Sequence, residues 1–142
     1  MKEKELLQCC LYFTANSLAR VLTTMAEDAF RPTGMSPNYA FLLMLVCEKP
    51  GISQKEIGEH LQLSPSTITR FVDKLETKGY LNRTVDGKTT LLNPTDDGQG
   101  LLQAIYDSWA RLYNQYSDIL GEDAGKSLTE ATWKATLELE GK

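Results

Sequence analysis

The sequence predicts a mainly α-helical chain that carries one small β-hairpin. Three observations lead there. Apolar residues recur at helical spacing over 3–30 and again over 102–139. Between these stretches, residues 53–78 read as two short capped helices joined by a tight turn. Directly after them, two strand-like runs flank Asp86-Gly87, a strong hairpin turn signal. The order is that of a winged helix-turn-helix core flanked by N- and C-terminal helices.

Bulk properties narrow the class. A chain of 142 residues is one domain on length grounds and can bury a proper core. The start, Met-Lys-Glu-Lys-Glu, lacks the basic region and apolar run of a signal peptide. The longest apolar run, Tyr39 to Cys47, suits a buried helix and is far too short for a membrane span. Three cysteines, Cys9, Cys10 and Cys47, are too few and too irregular for a disulfide framework or a zinc site. The expectation is a cytoplasmic, reduced protein with no membrane segment, metal or cofactor. Net charge is −4, but the charges are unevenly spread. Residues 53–93 carry six basic and five acidic side chains, whereas 94–142 carry four basic and nine acidic. The middle of the chain is therefore the least acidic relative to its tail, and the placement of Arg70, Lys74, Arg83 and Lys88 carries more weight than the total.

The elements follow in order. Residues 3–30 hold no Pro or Gly, and Leu7, Cys10, Leu11, Leu18, Val21, Leu22 and Met25 form a helical stripe, which predicts one long amphipathic helix. Arg31-Pro32-Thr33-Gly34 ends it. Ser36-Pro37 caps a second helix, to about Glu48, that is apolar on nearly every side and belongs at the centre. Ser53-Gln54-Lys55-Glu56 is a capping box for a short third helix. Ser64-Pro65 then starts a helix that runs to about Lys78 and stops at Gly79. Its buried set is Ile68, Phe71, Val72 and Leu75; its other face holds Ser66, Thr67, Thr69, Arg70, Asp73 and Lys74. Tyr80–Val85 and Thr89–Asn93 form the hairpin. Thr95, followed by Asp96 and Asp97, caps the next helix. From there Leu102, Ile105, Trp109, Leu112, Tyr116 and Ile119 make a heptad-like seam. Gly121 ends that helix, and a last one spans about Asp123 to Leu139.

A recognition helix needs short polar side chains at its front and longer cations behind, the first for base edges and the second for phosphates. The helix from Pro65 meets both demands. Ser66, Thr67 and Thr69 are small and polar, Arg70 reaches a guanine edge or a phosphate, and Lys74 suits a phosphate. The free backbone N–H groups near Ser53 and Ser64 are anion sites. Arg83 and Lys88 of the hairpin complete the set, for the backbone or the minor groove. The partner these residues imply is double-stranded DNA. Enzyme readings find little support: His60 is the single histidine, with no nucleophile–acid partnership and no glycine-rich phosphate loop. A winged helix used only for protein–protein contact is the rival class.

The segment Gly51-Ile-Ser-Gln-Lys-Glu-Ile-Gly-Glu-His-Leu, with Leu63-Ser-Pro-Ser-Thr-Ile-Thr-Arg-Phe-Val-Asp-Lys-Leu-Glu-Thr-Lys-Gly-Tyr-Leu-Asn-Arg, resembles the MarR family of bacterial transcriptional regulators. Thr95-Asp-Asp-Gly98 resembles the family's Leu-Thr-x-x-Gly close, with Pro94 in place of the leucine. At the wing turn Asp86-Gly87-Lys88 stands where members commonly carry Asp-x-Arg, so a lysine's point charge replaces a planar fork. The resemblance implies a homodimer in which 1–35 and 96–142 form a helical dimerisation region and 36–95 the winged DNA-binding region. It implies a pseudo-palindromic operator, and repression relieved by a ligand or by oxidation. A small effector would lie between the two regions, where Tyr12, Phe13, Tyr39, Phe41, Trp109 and Tyr113 are candidates. Cys9 and Cys10, followed by Leu11-Tyr12-Phe13, look somewhat like the start of the hydroperoxide sensors of the same family, which makes them candidate redox residues.

Overall fold

The computed structural model describes residues 2–142. Eight helices and a three-stranded sheet follow one another as α1 (Glu3–Gln8), α2 (Leu11–Ala29), a 3-10 turn (Arg31–Thr33), α3 (Pro37–Glu48), β1 (Ile52–Ser53), α4 (Gln54–Leu61), α5 (Pro65–Thr77), β2 (Leu81–Asp86), β3 (Thr89–Pro94), α6 (Asp96–Gly100), α7 (Leu102–Leu120) and α8 (Glu122–Leu139). The expected class, mainly helical with a hairpin wing, is what the chain adopts.

Helix α3 is the hub. Ala40, Leu42, Leu43 and Val46 are fully buried, which accounts for its apolar character all round. It packs on α7, β3 and α4. The rest of the core comes from Ala29, Phe30, Met35, Ile52, Ile57 of α4, Ile68, Val72 and Leu75 of α5, Leu81, Leu92 and Ile105. Burying one such aliphatic side chain contributes roughly 1.5–3 kcal/mol, so the short helices α4 and α5 are held by tertiary packing.

The sheet is antiparallel in the order β1-β3-β2, with Ile52 opposite Leu92 and Asp86 opposite Thr89. Gly87 turns the hairpin at φ 64°, a left-handed value open to glycine. Strand β1 is an addition to the expected hairpin: two residues are too few to leave a periodic signal. After β3, the Thr95 hydroxyl donates to the Gly79 carbonyl (2.6 Å) and accepts from the Gly98 N–H (3.0 Å). A Cβ on Gly98 would lie 2.0 Å from the Tyr80 carbonyl oxygen. Thus the Thr-x-x-Gly stretch closes the winged region by pressing α6 onto the start of β2.

The terminal helices α2 and α8 each pack on α7 beside this core. The Arg111 guanidinium donates to the Ala29 carbonyl (2.5 Å), tying α7 to the C-terminal end of α2. Large apolar residues nonetheless stay exposed here, among them Tyr12 (79%), Ile119 (77%) and Leu139 (80%). Two expectations need correction. The single helix over 3–30 is broken: Cys9 ends α1, and Cys10 takes extended angles (φ −94°, ψ 116°) before α2 begins. No residue of α1 is buried, so packing within the chain does not hold it in line with α2. The capping box at Ser53 is half made. Ser53 Oγ accepts from the Glu56 N–H (3.1 Å), but the Glu56 carboxylate turns to Lys49 Nζ (3.0 Å).

Candidate nucleic-acid interface

The front of α5 is built by its cap. Ser64 Oγ accepts from the Thr67 N–H (3.3 Å) and donates to the Thr67 hydroxyl (2.9 Å), and Ser66 Oγ lies 3.3 Å from it. Pro65 fixes the first helical φ without losing a bonded N–H. Because Ile68, Val72 and Leu75 anchor one face, the opposite face is forced outward: Ser66, Thr69, Arg70 and Lys74 are exposed and Thr67 half-buried. Thr69 is tied back. Its hydroxyl donates to the Pro65 carbonyl (3.0 Å) and accepts from Gln54 Nε2 of α4 (2.8 Å).

The cations divide into free and committed. Among the described residues Lys55, Arg70, Lys74 and Lys88 take part in no ion pair. Arg70 lies 5.9 Å from the Phe71 ring, and the Lys74 ammonium 5.1 Å from the Tyr39 ring, which itself stacks on Phe71 at 4.1 Å. Arg83 is committed: its guanidinium pairs with Asp73 and with Glu76 (3.2 Å), and its N–H donates to Glu76 (3.0 Å). The hydrogen bond it donates to Asp73, foremost, pushes its pKa further up. Sequence periodicity gave no hint of this, since the partners lie on another element.

A groove of about 640 Å³ runs between α4, the start of α5 and the wing. Ser53, Gln54, Lys55, Pro65 and Lys88 are on its walls. Lys55 and Gln54 escaped the sequence reading. Their signal was their place in the first turn of a capped helix, where a side chain points along the same rim as the free N–H groups. The Lys49 ammonium holds the Glu56 carboxyl below its usual range, and the pair's opposite charges offset one another at the start of α4.

The remaining candidates do not gather. Tyr39 sits with Phe71, Trp109 with Phe41 (5.2 Å), and Tyr113 with Tyr116 (5.6 Å), while Tyr12 faces solvent. Phe13 is half-buried. None of Tyr12, Phe13, Tyr39, Trp109 and Tyr113 lines the apolar cavity of about 420 Å³ between α2, α7 and α8, whose walls include Leu18, Leu22, Tyr116, Leu120 and Leu128. Cys9 and Cys10 are free and exposed at the α1–α2 break, and Cys10 occupies the N-cap of a 19-residue helix. Burial raises the Cys47 thiol pKa and makes it the least reactive by environment. Among the described residues no group of three His, Cys, Asp or Glu is placed to hold a metal ion, and no helix is long and apolar enough to cross a membrane.

Comparison with known proteins agrees with this geometry. The MarR family model matches residues 35–87, from the start of α3 to the wing turn. The HTH-type transcriptional regulator MhqR of Bacillus subtilis is 31% identical over 100 residues, covering 68% of this chain and 69% of that protein. A riboflavin kinase of Pyrococcus abyssi is 31% identical over 72 residues, half of this chain; the chain spans only 33% of that enzyme's length. Among solved structures, the transcriptional repressor CouR bound to p-coumaroyl-CoA superposes with a TM-score of 0.85 at 23% identity, covering 96% of this chain and 97% of CouR. CouR bound to a 23-mer DNA duplex gives 0.85 at 22% identity, covering 96% and 98%. At such identities the likeness establishes the shared fold, a winged helix-turn-helix between terminal helices. The regulator matched over two thirds of both chains supplies the rest: this chain belongs to the MarR family of transcriptional regulators.

Proposed function

We propose that the chain works as a homodimeric repressor that binds a pseudo-palindromic DNA operator and is released by a small ligand. One observation carries the DNA part: the polar front of α5 (Ser66, Thr67, Thr69, Arg70) is followed on the same exposed face by Lys74, and the unpaired cations Lys55 and Lys88 wall the adjoining groove. In this reading Ser66, Thr67, Thr69 and Arg70 meet base edges in the major groove. Lys74, Lys55 and Lys88, with the helix starts at Ser53 and Ser64, meet phosphates. Arg83 acts as a brace that aims the wing. Regions 1–35 and 96–142 serve dimerisation, and 36–95 serves DNA.

The dimer is supported by exposed apolar residues on α2, α7 and α8 that a single chain leaves in water. A two-fold pair would set the α5 helices roughly 34–36 Å apart, one turn of DNA. Ligand release is supported by the α2–α7–α8 cavity and by the fold shared with a repressor solved with p-coumaroyl-CoA. An apolar molecule wedged there shifts α2 and α7 against α3, and so alters the spacing of the two α5 helices. The placement of Cys10 at the start of α2 supports a second route, in which oxidation of Cys9 or Cys10 disturbs the same helices.

Selection of duplexes from a random pool tests the DNA reading. The expected product is an inverted repeat with half-sites one helical turn apart. Recovery of no preferred duplex would instead support a winged helix used for protein contacts.

A further inference from the structure

Resting on the DNA reading above, the geometry points to a more specific role for two residues: Gln54 orients Thr69 so that Thr69 reads a thymine through its methyl group. A threonine offers a recognition surface two things, a hydroxyl that donates and accepts, and a methyl. The Thr69 hydroxyl proton is used on the Pro65 carbonyl one turn back, at 3.0 Å. The oxygen also accepts from Gln54 Nε2, at 2.8 Å, across the helix-turn-helix. Two bonds in fixed directions lock χ1, since a threonine in a helix otherwise divides between rotamers. The side chain is nevertheless exposed, on the rim between Ser66 and Arg70. With no proton to donate and one lone pair left on the oxygen, the side chain has the methyl as its main surface to present.

The major-groove group that complements a methyl is the C5-methyl of thymine, which no other base carries. The neighbours differ in kind. Ser66 has no methyl, and Arg70 carries five donors with no acceptor. Thr69 therefore supplies the apolar element of an otherwise polar front. Gln54 belongs to the unit as a positioning residue. Its Nε2 holds the hydroxyl, and its own Oε1 is buried, out of reach of a base edge. Without Gln54 the Thr69 hydroxyl regains a second open lone pair, and the rotamer is no longer held from α4.

The experiment uses the full-length protein and the duplex selected from a random pool. Each thymine of a half-site is replaced in turn by uracil, which removes only the methyl. Wild type should lose about fourfold in affinity at one thymine per half-site, the value of one desolvated methyl. Thr69→Ser, which keeps the hydroxyl and its bonds, should bind both duplexes equally. Gln54→Ala should shrink the thymine-to-uracil ratio itself as well as lower affinity, which loss of folding alone would not do. Thr69→Ser retaining the wild-type uracil penalty overturns the inference, as does a selected duplex with no uracil-sensitive position. Both outcomes leave the DNA reading standing, whereas failure to select any duplex overturns the two together.

Discussion

Arg83 grips Glu76 twice: its backbone N–H donates to Oε2 at 3.0 Å, and its guanidinium to Oε1 at 3.2 Å, while Asp73 takes the same guanidinium from the side. The first wing strand is thereby pinned to the back of α5. If α5 and the wing meet DNA as proposed, they do so as one body, which saves ordering entropy on binding.

Replacing Arg83 by alanine should loosen the wing. A partly exposed ion pair contributes up to about 1 kcal/mol, so the unfolding midpoint in urea should fall modestly. Operator affinity should drop with an unchanged salt dependence. A salt slope reduced by about one would instead mark Arg83 as a phosphate contact.

Gly98→Ala should damage the junction between the winged region and α7. The added Cβ has backbone to displace at 2.0 Å, not a flexible side chain. Overpacking of this kind costs about 1–3 kcal/mol. Gly100, with nothing within 4 Å of its Cβ position, should accept alanine with no such loss, and denaturant unfolding of the two variants checks the contrast.

The terminal helices should fail as an interface when charged. The double variant Ile119→Asp, Leu139→Asp changes two side chains that are about four-fifths exposed in the single chain, so the monomer should still fold. Light scattering should then report the monomer mass, and circular dichroism an unchanged helix content. Operator binding should weaken strongly, because each half-site is then held alone. A dimer that persists would move the interface elsewhere.

Thiol release is separable from ligand release. If oxidation at the α1–α2 break frees DNA, Cys9→Ser with Cys10→Ser should abolish peroxide-triggered dissociation and leave affinity in reductant as it was. Dissociation by peroxide in that double variant removes these cysteines from the mechanism.

Much of the fold was legible because its signals are local. Ser53 and Ser64 announced two caps, Pro65 a first turn, and Asp86-Gly87 a hairpin, each through chemistry within four residues. What stayed hidden was set by distance. Arg83 finds Asp73 and Glu76 across a turn, Gln54 reaches Thr69 fifteen residues on, and Glu56 prefers Lys49 to its own cap. The break at Cys9–Cys10 has neither Pro nor Gly to mark it, and the apolar stripe runs through it. The aromatic residues named for an effector lie on three helices, Tyr12 and Phe13 on α2, Tyr39 and Phe41 on α3, Trp109 and Tyr113 on α7, and which of them meet is set by tertiary packing that no local signal carries.

The most direct measurement is a pair of affinities across a salt series, for Arg70→Ala and Lys74→Ala, on the selected operator and on variants at each position. Arg70→Ala should cost about 1–3 kcal/mol and relax the preference at one base pair, while Lys74→Ala should weaken all duplexes alike and lower the salt slope by about one. Wild-type affinity and sequence preference in both variants would contradict the assignment of the α5 front to DNA.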